Sequence, residues 1–415
     1  MNILITRKDR TGIFHSIKYF FIVIFTLLWA ATTQADEVCE ADILPSYDPD
    51  YYPYQQILAC VPPAGWNGVL VVYAHGYVKP YKDLELPTLE FSDPDNPGEN
   101  INVAELFVGA GFAFATTSYH KNGYAVEQAG DDIDNLVSYF NSHNEQGPAS
   151  TILLIGGSEG SLITTMLIER NPDTYGGGVA LCGPLGGANL EIRYLGDFRA
   201  VFDVFFPDIF SFGIVEGIPY DPIEEQAYIW AITNAFLTYP DRVEQLFNVT
   251  NVARNSADPE SDLKAAISLL GYSVYGFNDI GEVAGGNPYG NRFRWYSGSS
   301  NDWLLNWRVE RVAPSLAGKL YMRKYYQPTG KLTVPLITMH TTGDEIVPFW
   351  HQILYAIRVR LNNSQDMLTA IPVPEYGHCN FNAEQVLGAF ALLASKLGIP
   401  IPESFATAQS SMAIE

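Results

Sequence analysis

Residues 151–166, TILLIGGSEGSLITTM, constrain the fold of this chain more than any other stretch. Apolar and β-branched residues over 151–155 read as a buried strand, and residues 161–169 carry a helical pattern. Between them stand Gly156, Gly157, Ser158, Glu159 and Gly160, a match to Gly-x-Ser-x-Gly. A strand that turns at once into a helix leaves little space for Cβ atoms at the flanking positions, which gives Gly156 and Gly160 a steric reason to be glycine. A serine at such a bend is lifted out of the backbone beside the first helical N–H groups, where negative charge is favoured. Its chemical reading is a nucleophile. Its plain reading is a tight turn of small residues, unremarked in a chain with 35 glycines.

The surrounding pattern is strand and helix in alternation. Strands are expected over residues 55–62, 68–76, 112–119, 177–183 and 331–340, with a short one near 368–373. Helices are expected within 101–111, 131–144, 349–361 and 382–398. Asp131 and Asp132 open the second of these, where a helix dipole favours acids. Such alternation predicts an α/β fold with a mainly parallel sheet flanked by helices. From residue 188 the rhythm changes to a mostly helical stretch rich in Phe, Tyr and Trp, read as a large lid insertion over 188–330. The expected organisation is a signal peptide (1–35), a first core part (36–187), the lid or cap insertion (188–330) and a second core part (331–415), with a loose tail after Pro402.

The N-terminus explains the cysteines. Arg7, Lys8, Arg10 and Lys18 precede the apolar run 19–31, and small residues at Thr33 and Ala35 complete the layout of a secretory signal peptide cut after Ala35. The apolar run is short for a membrane span, so the processed chain is expected to have none and to be secreted or periplasmic; the other reading is an uncleaved anchor. Four cysteines remain, Cys39, Cys60, Cys182 and Cys379. In an oxidising compartment they are expected to pair. Cys39–Cys60 is the local choice, which leaves Cys182 with Cys379. No CxxC spacing suggests zinc, and neither a metal nor an organic cofactor is expected. A net charge of −22 repels phosphate backbones, so nucleic acid is not an expected partner. The sequence carries no signal of oligomeric state.

A nucleophilic serine needs a base and an acid to orient it. His378 lies in EYGHCNF, a glycine-flanked loop between the last strand and the last helix. His75 precedes Gly76 after an early strand, His340 ends a strand and is expected to be buried structure, and His120, His143 and His351 are expected in loops or on helix surfaces. Asp344, in HTTGDEIVP, follows a strand; Asp131 and Asp132 are rival acids. In chain order the set reads Ser158, Asp344, His378.

With AHGY (74–77), GGSEG (156–160), TGDEIVP (342–348) and YGHC (376–379), the chain resembles the α/β-hydrolase fold superfamily over about residues 55–186 and 331–398. The resemblance implies Ser158 as nucleophile, His378 as general base and Asp344 as its orienting acid. It implies an oxyanion hole from the backbone N–H groups of Tyr77 and Glu159. Glu159 itself reads either as a ligand contact or as a first-turn acid on the helix dipole. The His-Cys pair at 378–379 is similar to feruloyl esterases and tannases, although Gly157 stands where those enzymes carry a cysteine. That likeness implies a Cys182–Cys379 bridge restraining the histidine loop. The expected activity is carboxylic ester hydrolysis, lipase-like or aryl/feruloyl-type, on a small-molecule or polymer ester. The alternatives are a prolyl-oligopeptidase-like peptidase, whose large propeller the short segment after Ala35 does not accommodate, and a non-catalytic binding protein on the same scaffold. Lid aromatics are expected to line an apolar acyl or phenol pocket in part and otherwise to pack against each other.

Overall fold

The computed structural model describes residues 39–46, 51–92 and 100–412; the signal segment expected over 1–35 lies outside them. The chain enters as β1 (Cys39–Pro45) and turns back as β2 (Tyr54–Cys60). It continues through β3 (Val69–Ala74), a small ribbon of β4 (Glu90–Ser92) with β5 (Asn100–Asn102), α1 (Val103–Gly109), β6 (Ala113–Thr117) and α2 (Val126–His143). Next come β7 (Thr151–Gly157), α3 (Glu159–Arg170) and β8 (Gly177–Leu181). The insertion holds α4 (Ala188–Phe205), α5 (Pro222–Thr238), α6 (Pro240–Thr250), α7 (Ser261–Gly271), a π-turn at Tyr272–Gly276, α8 (Phe277–Val283), α9 (Asp302–Arg308) and α10 (Leu316–Tyr325). β9 (Leu336–Gly343), α11 (Trp350–Leu361), β10 (Leu368–Tyr376), α12 (Ala383–Lys396) and α13 (Glu403–Met412) complete the chain.

One sheet runs in the order β1-β2-β6-β3-β7-β8-β9-β10. β1 with β2 and β2 with β6 are antiparallel, and every other pair is parallel. With helices on both faces this is the α/β-hydrolase fold. The central strands are buried on both sides, which is why they read as nearly unbroken apolar runs. Alternate residues of each run serve opposite faces. Leu70, Val72, Ile152 and Leu154 pack with α2 and α3 through Ile133, Leu136, Leu162 and Met166. Val69, Val71, Leu153 and Ile155 pack with Phe107 of α1, Phe390 and Leu393 of α12 and Phe405 of α13. A one-residue register slip would exchange both sets.

Four sequence expectations are corrected. β1 is a strand that no apolar alternation announced: most of it is exposed, and its pairing with β2 from Cys39↔Cys60 to Pro45↔Tyr54 holds it. The tail after Pro402 is helical, because Phe405 sits 6.0 Å from Phe107 and 6.1 Å from Phe390. Helix α2 begins five residues before Asp131, so its acids do not serve the first turn. Asp132 is buried and accepts the main-chain N–H of His120 at 2.8 Å while its Oδ2 lies 2.7 Å from His120 Nδ1. His120 and His351 are accordingly buried, not surface residues.

None of the described residues between β8 and β9 forms a strand. The insertion buries Phe198, Phe202, Phe206, Phe236 and Phe247 in a core continuous with that of the sheet's α2/α3 face. Its two ends meet. The N–H of Ala188 donates to the carbonyl of Tyr326 at 3.0 Å. Arg358 of α11 donates to Leu185 and Gly186 on one side and to Pro328 on the other. The carboxylate of Glu169 accepts from the Thr329 and Gly330 N–H groups and from the Tyr355 hydroxyl.

Candidate active site

Ser158 stands between β7 and α3 with φ +55° and ψ −121°, a backbone conformation that costs a side-chain-bearing residue of the order of 1–3 kcal/mol. The flanking glycines make the bend possible. A Cβ on Gly156 would lie 2.1 Å from the carbonyl oxygen of Gly160, and one on Gly160 would lie 2.0 Å from that of Ala74. Gly157, by contrast, has open space around its Cβ position and is not required sterically. The Ser158 N–H donates to Leu181 of β8 at 2.9 Å, tying the turn to the neighbouring strand.

His378 arrives from the loop after β10. Its Nε2 lies 2.9 Å from Ser158 Oγ, and its Nδ1 lies 2.8 Å from Asp344 Oδ2. A carboxylate at Nδ1 fixes the tautomer: Nδ1 carries the hydrogen and the Nε2 lone pair faces the serine hydroxyl. Asp344, in the loop after β9, is buried, and its other oxygen accepts the N–H groups of Ile346 at 3.0 Å and Val347 at 2.8 Å. Burial alone would raise its pKa. The charge of His378 and the bonds from His340 and His378 outweigh that and hold it at about 2. The His378 imidazole is disfavoured as a cation by burial, but the adjacent Asp344 outweighs this too, and its pKa is raised above the usual histidine value.

Two further histidines support this set without facing the serine. His340 Nε2 lies 2.7 Å from the Val347 carbonyl and 3.3 Å from Asp344 Oδ2, as befits the buried structural residue expected from its strand-end position. His75 is stacked on Tyr119 with ring centroids 4.0 Å apart, and its Nδ1 lies 2.7 Å from the Gly76 carbonyl. Gly76 in turn abuts the elbow, where an added Cβ would be 3.2 Å from Ser158 Cβ. The N–H of Glu159 opens α3 and has no acceptor within the helix.

Cys39 is bonded to Cys60, and Cys182 to Cys379. The second bridge links the end of β8 to the residue after His378. Cys182, His378 and Cys379 lie close enough together to suggest a metal cluster, but both sulfurs are consumed in the disulfide.

A small cavity opens at Ser158, lined by Tyr77, Tyr124, Leu162, Tyr272 and Tyr326, and by the carboxyls of Glu159 and Glu191. Tyr77 and Tyr272 also border a cavity of about 360 Å³ between the insertion and the loop after β3, which contributes Tyr77 and Lys79. Burial pushes the Glu159 carboxyl up to about 8, against the opposing effects of the Ala125 N–H and Lys121. Glu159 is the first-turn acid of α3 and also lines the cavity, and its Oε1 accepts the Ala125 N–H at 3.1 Å. Glu191 is raised well above the ordinary carboxylate range by burial and by Asp344. His351 Nδ1 accepts the Gly186 N–H, leaving Nε2 to donate to Glu191 at 2.9 Å, and burial keeps this ring neutral. Neither Glu191 nor His351 is flagged by the sequence, since the two are 160 residues apart and each reads locally as a helix residue.

No family model matches the chain, and no curated protein matches it in sequence. Solved structures that align with it include the proline iminopeptidase of Mycobacterium smegmatis, 12% identical with a TM-score of 0.42, covering 89% of this chain and 100% of that one. Est1E from Butyrivibrio proteoclasticus is 11% identical with a TM-score of 0.40, covering 86% and 98%. An acylaminoacyl peptidase in complex with Z-Gly-Gly-Phe-chloromethyl ketone is 11% identical with a TM-score of 0.40. That alignment takes in 82% of this chain but 38% of the peptidase, so the chain spans well under half the peptidase's length.

Proposed function

We propose that this chain is an exported serine hydrolase that cleaves carboxylic esters through an acyl-enzyme on Ser158. The observation that carries the reading is the unbroken run of hydrogen bonds from Asp344 through His378 to a serine held at a strained bend. His378 Nε2 takes the hydroxyl proton as Ser158 Oγ attacks the acyl carbon. The N–H groups of Tyr77 and Glu159 receive the developing oxyanion, and loss of one such donor costs about 3 kcal/mol in the transition state. His378 then gives its proton to the departing alkoxide and the alcohol leaves. Water attacks the acyl-enzyme with His378 again as base, releasing the acid and restoring the serine.

Ester preference is supported by the cavity. Its walls are tyrosines and aliphatic side chains, and burial raises the pKa of both its carboxyls, disfavouring their charged forms, which suits an uncharged acyl group. Residues 188–330 act as the lid in this reading. Two disulfides favour an oxidising compartment, and no helix among the described residues is long and apolar enough to cross a membrane. The test is a panel of p-nitrophenyl esters of increasing acyl length beside peptide p-nitroanilides, with a fluorophosphonate adduct located by peptide mass mapping. Ester turnover with the adduct on Ser158 is expected. Faster anilide turnover would make the chain a peptidase, and no turnover of either with no adduct would make it a binding protein.

The pH profile is expected to be bell-shaped. His378 must be neutral to accept a proton, so kcat/KM falls as pH drops through its raised pKa. Glu159 ionises through about 8, and its charge beside the oxyanion donors lowers kcat/KM above that point by about tenfold or more. Glu159→Gln should remove the alkaline limb and leave the acid limb in place; an unchanged alkaline limb would assign it to another group.

The two disulfides are expected to separate stability from activity. Closing a 197-residue separation is worth at most about 5 kcal/mol of denatured-state entropy, and a 21-residue one about 3 kcal/mol. Serine substitution of Cys182 and Cys379 should lower Tm and also cut kcat about tenfold or more, because Cys379 anchors the residue next to it. Serine substitution of Cys39 and Cys60 should lower Tm with kcat unchanged. Equal effects of the two pairs on kcat would remove any special part for the second bridge.

A further inference from the structure

We infer that the face formed by residues 292–308 of the insertion docks on an anionic lipid surface. Phe293, Trp295, Trp303 and Trp307 are 96%, 54%, 79% and 80% exposed. Trp295 meets Trp303 edge to face with ring centroids 5.1 Å apart, Trp307 lies one turn along α9 from Trp303, and Phe293 is two residues before Trp295. Arg311 holds the two pieces together by donating to the carbonyls of Asn291 and Arg294 on the loop and of Asn306 on the helix. Aromatic side chains of this size expose about 600 Å² between them at these fractions, at the upper end of the largest apolar patch on an ordinary monomer.

Charge selects the occupant. The chain is strongly acidic overall, yet residues 291–311 carry four arginines, Arg292, Arg294, Arg308 and Arg311, against the two acids Asp302 and Glu310. Both acids are turned to the backbone. Asp302 accepts the N–H groups of Gly298 and Ser299, and Glu310 accepts that of Ile214. Arg294 is paired with Asp197, and Arg311 is spent on carbonyls. Arg292 and Arg308 remain exposed, with no ion pair among the described residues. Exposed tryptophans flanked by unpaired arginines match the boundary between acyl chains and anionic headgroups, where indoles settle and basic side chains reach the phosphates. A sugar polymer fits less well, because Trp295 and Trp303 cross at 78° and present no flat platform. A second copy of the chain would set the unpaired arginines of one patch against those of the other.

The surface is independent of the chemistry at Ser158, and its test does not use turnover as the readout. Purified protein is mixed with vesicles of equal parts phosphatidylcholine and phosphatidylglycerol, or of phosphatidylcholine alone, and scored by sedimentation and tryptophan emission. Sedimentation with the anionic vesicles and a blue shift are expected. A Trp303→Ser, Trp307→Ser double variant should lose at least tenfold in vesicle affinity with its thermal melting unchanged. Arg292→Glu with Arg308→Glu should lose roughly fivefold per arginine on anionic vesicles only. The proposal is overturned by no sedimentation, by binding that both variants retain, by depletion on insoluble xylan that the tryptophan variant abolishes, or by a dimer in light scattering that it abolishes.

Discussion

Ser158→Ala and His378→Ala should each lower kcat for a p-nitrophenyl ester by about 10⁶-fold, and the double variant should be no worse than either single one. In the proposed mechanism the two side chains act as one unit: the proton moves across the 2.9 Å contact between Oγ and Nε2, and removing either end removes the step. What remains is whatever binding and the backbone N–H groups of Tyr77 and Glu159 still provide. Losses that multiply in the double variant would mean that the residues work separately. Ester turnover that survives in Ser158→Ala would end the acyl-enzyme mechanism. The Ser158→Ala protein should melt at the wild-type temperature or above, because the hydroxyl is tied to no other described side chain than His378.

Asp344→Asn should lower kcat by about 10⁴-fold with KM changed no more than a few-fold. Asparagine keeps the shape, and its carbonyl oxygen can still accept the Ile346 and Val347 N–H groups. Its amide then faces His378 Nδ1 and forces the hydrogen to Nε2, so no lone pair is aimed at the serine. The substitution also removes the charge that raises the His378 pKa, and the acid limb of whatever activity remains should move to lower pH. A loss below tenfold, or an acid limb that stays in place, would take Asp344 out of the role. Asp132 would then be no substitute, since its carboxylate is engaged with His120.

The local signals at the serine, aspartate and histidine were readable because each sits at a strand end with its own punctuation. Gly156 and Gly160 are required by contacts of 2.1 and 2.0 Å, and such steric needs leave a mark in the sequence. The positions of the central strands followed from buried apolar runs, since residues covered on both faces must be apolar whatever their neighbours are, whereas their order in the sheet did not. β1 and α13 were not readable, because pairing with β2 and the ring of Phe107, Phe390 and Phe405 hold them, and those partners are distant in the chain. The same holds for Glu191 with His351 and for Asp132 with His120. A buried histidine bonded to a carboxyl and a surface histidine carry the same local pattern, and only the packing separates them.

The meeting of Ala188 with Tyr326 makes the aromatic helices a closed excursion whose two ends share one place. The chain leaves the sheet and returns to it at one point, clamped there by Arg358 and Glu169. A short turn spliced between Ala188 and Tyr326 would close the backbone across a 3.0 Å contact. Such an excision would also take Glu191, Leu195 and Tyr272 out of the cavity at Ser158 and Asp279 off Lys121, so these helices form part of the wall that the serine faces.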